Sequence, residues 1–405
     1  MQKQIKEKIK PLYIYLLYIY NRYIKQKQFK PYTLLNKQIS LETCDNSDTS
    51  FFGYYNISPE NINREIVYNT LKSGESVNIN LKQNGQKREI GNSSSFNLQQ
   101  GCMTQWGYKS QNLVYYNRFN NSNKLYEMVV YDINTNSEEI FPLPLYALSK
   151  QEDYILSLNF ERLAVMRPDY GYFCKEVKEL PSNEQDGIWK MDLKTKEISL
   201  IISLEQLRQL NPVETMQNAM HKVNHIDISP DGKRFMFLHR WVGPQGRYMR
   251  LITADSNGKN LYILNGDKMT SHSYWMNNKQ IVSFCHTNLY GNAYTVFTDM
   301  TEKITKLSDK LPKVDGHPST TKDGKWMITD TYPNKARMSK LYLYNIFEDQ
   351  LFCIGSFYQP LKYKGTKRID LHPKWNMNED TIYFESGHSG KRKLYSINIE
   401  SLLKK

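Results

Sequence analysis

Only five of the 405 residues are cysteine, and Cys44, Cys102, Cys174, Cys285 and Cys353 lie scattered, with no C-x-x-C pair among them. A zinc knuckle and a disulfide framework are thereby excluded as the basis of the fold, and reduced thiols in a cytoplasmic setting are expected. Long apolar runs are as scarce. The candidate at residues 12–19 is laden with tyrosine, and it falls short of the ~20 apolar residues that a membrane-spanning helix needs. No small-residue cleavage site follows it, so it does not read as a secretory signal. Helical patterns are few, confined to this leader and to "SLEQLRQL" at 203–210. No phosphate-binding loop, G-x-S-x-G elbow or EF-hand loop occurs, which removes the motif-borne nucleotide, serine-hydrolase and calcium chemistries.

What the chain has instead is aromatic side chains, 13% of residues with 30 tyrosines, and a formal net charge of +13. Aromatic-rich short segments favour strands. The charge favours an anionic partner, whether nucleic acid, an acidic lipid surface or an acidic polysaccharide. "GKRFMFLHRWVGPQGRYMRL" (232–251) mixes basic and aromatic residues as nucleic-acid surfaces do, but it also alternates like two strands joined by a Gly-Pro turn. Because basic residues are dispersed along the chain rather than collected, no nucleic-acid partner is expected. In the leader, basic residues flank the apolar run on both sides. Residues 1–30 therefore read either as a weak contact with an anionic lipid surface or as a helical or poorly ordered leader docked on the domain.

A repeat is written in the turns. "DGHPSTTKDGKWMITDTYP" (315–333), "ISPDGKRFMFLHRW" (228–241), "YWMNNKQIVSF" (274–284) and "KWNMNEDTIYFES" (374–386) each run through a tight Asp/Asn/Gly turn into an apolar strand. Weaker copies lie upstream. Taking Glu60, Lys109, Asp153, Asp231, Asn277, Asp323 and Glu379 as markers, the intervals are 49, 44, 78, 46, 46 and 56 residues. Five of these approach the length of a four-stranded propeller blade. The long one contains 159–186, which reads as an excursion loop. The spacing predicts an all-β chain, a seven-bladed β-propeller over 41–405 behind a short basic leader at 1–40. Ring closure would remove the exposed sheet edges that such a chain must manage.

The histidines keep step with the turns. His225 and His317 precede their markers by six residues, His272 by five and His372 by seven. That position starts the innermost strand of a blade, so the four side chains are expected to converge at one mouth of the central channel. His221, His239, His286 and His388 fall out of phase and read as structural or surface residues. Two carboxylates accompany the set, Asp315 in "VDGHP" and Asp370 in "IDLHP". Asp370 and His372 are two apart and face one side of an extended segment. A His317/Asp370/His372 shell suits a divalent cation such as Mn²⁺ or Zn²⁺. Asp315 reads as a further ligand or as the carboxylate that orients a histidine.

"SHSYW" (271–275), "DGHPS…DGKWMITDTYP" and "IDLHPKW…IYFES…KRKLYSINI" (369–399), in that order, resemble the oligogalacturonate lyase family, most clearly over 270–398. The resemblance implies a seven-bladed lyase that cleaves a uronate-containing oligo- or polysaccharide by metal-assisted β-elimination, as in pectin degradation, with Mn²⁺ ahead of Zn²⁺. It places the catalytic histidine on His272 and metal histidines on His317 and His372. A further metal histidine of the family falls on Asp370, and a glutamine ligand falls near Lys367, which cannot coordinate while protonated. Arg240 then reads as a guanidinium clamp on the substrate carboxylate or as a surface residue, and His225 as an aid to substrate binding or leaving-group protonation. The alternative reading is a non-catalytic propeller that binds glycan or protein in surface-polysaccharide metabolism.

Overall fold

The computed structural model describes residues 2–24, 30–35, 39–266 and 268–404. Among them the strands form seven antiparallel sheets, each built mainly from one stretch of chain. In order these blades occupy 50–93, 105–141, 147–203, 220–265, 270–306, 319–358 and 374–398. Every turn marker read from the sequence falls between the first and second strands of its own blade. The seven-bladed propeller is therefore the observed fold, and the reason is local: an Asp, Asn or Gly turn fixes where each inner strand reverses. Gly232 and Gly324 occupy the left-handed region in two of these turns, with φ of +72° and +70°. "GKRFMFLHRWVGPQGRYMRL" is a strand pair, Arg234–Gly243 against Gly246–Asp255, paired along its whole length.

The ring closes through the N-terminal segment. Glu42–Thr43 pairs with Tyr395 and Ser396 as the outer strand of the seventh blade. Tyr32–Leu34, from within the leader, adds a fifth strand to the sixth blade opposite Gly355–Phe357. A buried network ties the seventh blade to the first. Lys374 Nζ donates to the Gly53 carbonyl (2.8 Å) and lies 3.8 Å from Glu385, whose other oxygen accepts from Arg392 (2.5 Å).

The leader forms helix α1 (Gln2–Ile19), continued by a π-helical turn, Tyr20–Ile24. Tyr18 seats it among Ala336, Met338 and Tyr358 of the sixth blade. Residues 1 and 25–29, part of the stretch read as touching a lipid surface, lie outside the described residues. No helix among the described residues is long and apolar enough to cross a membrane.

One element differs from the sequence reading. The stretch 159–186 is not simply an excursion loop, for it opens with a helix, Phe160–Met166. Asn159 caps it by accepting from the backbone N–H groups of Glu161 and Arg162. Buried Arg162 then pairs with Asp186 at the far end of the excursion (2.5 Å), so the loop is cinched at its base. The helix at Leu204–Gln209 is present as expected, closed by a capping box between Ser203 and Gln206.

Candidate metal centre at the channel mouth

The four in-phase histidines do converge. Ring centroids are 4.0 Å apart for His272 and His317, 4.3 Å for His317 and His372, and 5.6 Å for His225 and His272. The phase that aligned them also explains what stands opposite. Tyr54 precedes Glu60 by six residues and Tyr146 precedes Asp153 by seven, so both occupy the histidine position of their own blades. Tyr54 faces His225 and His372 at centroid distances of 5.2 and 5.1 Å, and Tyr146 Oη accepts the backbone N–H of His225 (2.9 Å). The count from the turn that marks the histidines marks both tyrosines as well.

Backbone irregularity aims two of the imidazoles. His225 and His372 have φ of +54° and +44°, a region L-residues seldom occupy and one that the surrounding structure must hold. In the fourth and fifth blades the register between first and second strands shifts across His225 and His272. The shift frees each histidine from the ladder and turns it into the channel. At Gly316 any Cβ would meet the Asp330 carbonyl oxygen at 2.1 Å, so only glycine lets His317 approach that strand.

His317, Asp370 and His372 offer ligand atoms that all lie within 4.8 Å of one another, and all three residues are buried. His317 Nδ1 pairs with Asp330 Oδ1 at 2.8 Å. With the proton held on that nitrogen, the lone pair of Nε2 points into the cluster. That Nε2, and both ring nitrogens of His372, are buried without a hydrogen-bond partner. Buried polar atoms are seldom left so, and a divalent cation would take Nε2 of His317 and one nitrogen of His372; the donor set fits it. Asp370 is shared, since its Oδ2 also accepts from Arg368 Nε at 2.8 Å. Arg368 is paired in turn with Asp169 of the excursion. Lys367, where the family's glutamine falls, is exposed in a 3-10 turn and stands apart from the cluster.

His272 is set apart by its own partner. Its Nδ1 lies 3.1 Å from Asp315 Oδ1, and Ser271 Oγ donates to Asp315 Oδ2 at 2.6 Å. Asp315 is thus the orienting carboxylate of His272, one of the two roles read for it. Burial opposes ionisation of Asp315, but His272 and Ser271 outweigh it and hold the carboxyl below its usual range. Burial first, and the neighbouring His317 second, push the His272 imidazole toward its neutral form. His225 is pushed toward its neutral form for the same first reason, with Arg240 adding to it, and its Nδ1 lies 2.6 Å from Tyr54 Oη.

Arg240 is half-buried, mid-strand in Arg234–Gly243, opposite Lys222. Its Nε has no partner. Burial and the nearby Arg167 lower the guanidinium to about 10. Lys222, buried and donating to the Met166 carbonyl (2.8 Å), is lowered to about 7 by burial and then by Arg240 and Arg167. Arg240, Lys222 and Arg167 thus gather positive charge at this mouth, with Asp315 the carboxylate that acts on Arg240. Arg167 and Tyr170 reach this mouth from the excursion, with Arg167 stacked over the Tyr170 ring at 4.9 Å and Tyr170 5.6 Å from His225. Neither was read from the sequence, because nothing in 159–186 tells where the loop folds back.

The out-of-phase histidines stay out of the cluster. His221 and His239 are buried together in the fourth blade (2.9 Å), His286 pairs with Asn292 Oδ1, and His388 packs on Tyr395. The opposite mouth of the channel is a cavity of about 390 Å³ lined by Tyr108, Lys150, Tyr274, Lys322 and Trp375, with no histidine.

No family model matches the chain and no curated protein does. Solved structures do. The chain is similar in fold to oligogalacturonate lyase. The structure of that enzyme from Vibrio parahaemolyticus superposes with a TM-score of 0.64 over 91% of this chain and 96% of its own, at 14% identity. An oligogalacturonate lyase in complex with manganese gives 0.63, covering 92% and 94%, also at 14% identity. The tricorn protease shares the propeller at 0.54 and 9% identity, but only over 34% of its own length. At such identities the likeness to oligogalacturonate lyase is one of fold, and it spans nearly the full length of both chains.

Proposed function

We propose that this propeller cleaves an acidic, uronate-containing oligo- or polysaccharide by β-elimination. The observation that carries the reading is the pair of histidines, His317 and His372, whose buried unpaired nitrogens surround Asp370 beside a carboxylate-oriented His272. Fold similarity to oligogalacturonate lyases supports the substrate class, and the manganese complex among them supports Mn²⁺ ahead of Zn²⁺.

His317, Asp370 and His372 would hold a divalent cation, which when bound would supply charge neutralisation at the substrate carboxylate, where negative charge grows as the adjacent carbon loses its proton. Arg240, with Arg167 behind it, binds the anionic sugar by guanidinium–carboxylate hydrogen bonds. Asp315 holds the proton of His272 on Nδ1, leaving Nε2 to take the proton from the carbon α to the carboxylate. The electron pair of that C–H bond becomes the new double bond to the β carbon. The β carbon's bond to the glycosidic oxygen breaks, and the leaving oxygen takes a proton from solvent or from the hydrogen-bonded Tyr54–His225 pair.

One observation favours a second reading. Arg368 already neutralises Asp370, as it would in a propeller that binds an acidic glycan with no cation and no turnover. Elemental analysis of the purified protein and of His317→Ala, after exposure to Mn²⁺ or Zn²⁺, separates the two. Near-stoichiometric metal that disappears in the variant, together with an ultraviolet-absorbing unsaturated product from polygalacturonate, is the expected result. A folded wild type that takes up no metal and yields no product would leave the binding propeller standing.

A further inference from the structure

Helix α1 presents an apolar surface that the propeller does not cover. Leu12, Tyr13, Ile14, Tyr15 and Leu16 follow one another and are each about half exposed or more, Leu12 by 58% and Leu16 by 55%. Tyr20 and Tyr23 extend the patch. Scattered exposed apolar residues need no explanation, but a contiguous run of them does. The helix is nevertheless fixed in place. Tyr18 Oη and Tyr358 Oη are 2.7 Å apart, and the Arg22 guanidinium lies 4.0 Å from the centre of the Tyr358 ring. Those contacts hold only its C-terminal end, and because five consecutive residues go right round a helix, the apolar turn 12–16 is uncovered on every side.

Its place in the fold matters as much as its composition. Tyr18 rests on Met338 and Tyr358, the start and the end of two neighbouring strands, Met338–Asn345 and Gln350–Tyr358. The strand before them ends at Asp330, the partner of His317, and the loop after them leads to Asp370. Since strands alternate in direction, these ends all lie at the histidine-bearing end of the propeller. Helix α1 sits on the rim of the same mouth that holds the candidate site.

Charge selects the occupant. The first thirty residues carry eight basic side chains against Glu7 alone. A second copy of this chain would bring two such sets together and repel, whereas a surface of anionic lipid neutralises them while taking up the leucines and tyrosines. We infer that the apolar turn of helix α1 docks the protein on an anionic lipid surface, with the channel mouth beside it turned toward the bilayer. Tyrosine, apolar in body and polar at its tip, suits that boundary. The docking does not depend on the lyase reading.

The test is co-sedimentation of the full chain with vesicles of phosphatidylcholine alone and with vesicles containing equal phosphatidylglycerol, for wild type and for Leu12→Glu/Leu16→Glu. Both substituted positions face solvent, and the Tyr18 seat is untouched, so matching melting temperatures verify that the variant folds. Wild type is expected to pellet with the anionic vesicles and to be released by high salt. The variant's partitioning is expected to fall by at least about tenfold, since each change removes apolar burial and adds a like charge to the surface. Wild type that stays in the supernatant, or a variant that pellets as well as wild type, overturns the inference. So does a concentration-dependent dimer in light scattering that the variant loses, because a second copy would then be what covers the patch.

Discussion

His317 and Asp330 face each other across the inner hairpin of the sixth blade. The carboxylate oxygen lies 2.8 Å from Nδ1 of the imidazole and accepts the backbone N–H of the same residue, also at 2.8 Å. One oxygen thus sets both where the histidine sits and which nitrogen keeps its proton. Burial alone would push the imidazole toward its neutral form, but Asp330, with Asp370 and Asp315 adding to it, raises His317 above its ordinary value.

Asp330→Asn keeps the hydrogen bond and removes the charge. A carboxylate behind a metal-bound histidine typically contributes about 10–100-fold in affinity, and a loss of that size is expected here for Mn²⁺, measured by competition with a chromogenic chelator. An unchanged affinity in a folded variant would show that His317 binds no cation.

His272→Ala is expected to leave metal uptake intact and to reduce unsaturated product from polygalacturonate by about 10²–10⁴-fold, the usual worth of a positioned general base. Asp315→Asn should fall between this variant and wild type. If His272→Ala loses metal as well as activity, the residue belongs to the metal shell and the base lies elsewhere.

His388 gives a pH-dependent contribution to stability that is remote from the candidate centre. Burial, against Tyr395 at 4.5 Å between ring centroids, lowers it from 6.5 to about 4. The folded state prefers the neutral ring, so between those values the unfolded chain binds more protons. Stability from this group is complete above about pH 6.5 and falls by about 3 kcal/mol as pH drops toward 4. Melting temperatures of wild type should therefore decline more steeply over that window than those of His388→Gln. Parallel curves would rule out the assignment.

Glu385 is fully buried between Lys374 and Arg392, where the last blade meets the first. Burial lowers Lys374 to about 8, although Glu385 opposes the shift. Glu385→Ala strands two buried cations, and removing one partner of such a pair typically costs about 3–5 kcal/mol. Chemical denaturation should show a loss of that size, and Glu385→Gln a smaller one. A loss below about 1 kcal/mol, the worth of an exposed ion pair, would mean that the network does not hold the ring together.

The sequence by itself determined the number of blades and the phase of the histidines. Both follow from short-range rules: an Asp, Asn or Gly turn fixes where each inner strand reverses, and an offset of five to seven residues before that turn marks the residue that reaches the channel. The two-residue spacing of Asp370 and His372 was legible too, but the left-handed backbone at His372 (φ +44°), not an extended strand, aims that imidazole at the cluster. Tertiary structure alone decided the rest. Asp330 became the partner of His317 only through the register of a hairpin whose first strand is Ser319–Thr320, and Asp315 turned to His272 of the preceding blade. Arg167 and Tyr170 reached the channel mouth because Asn159 caps a helix and Arg162 grips Asp186, sending the excursion back over the ring. Even closure depended on Glu42–Thr43 finding Tyr395 and Ser396 at the other end of the chain. Turn chemistry acts over a few residues and can be read in a line. Pairings between residues hundreds apart exist only after the ring has closed, and it is those pairings that set the protonation and direction of each side chain at the site.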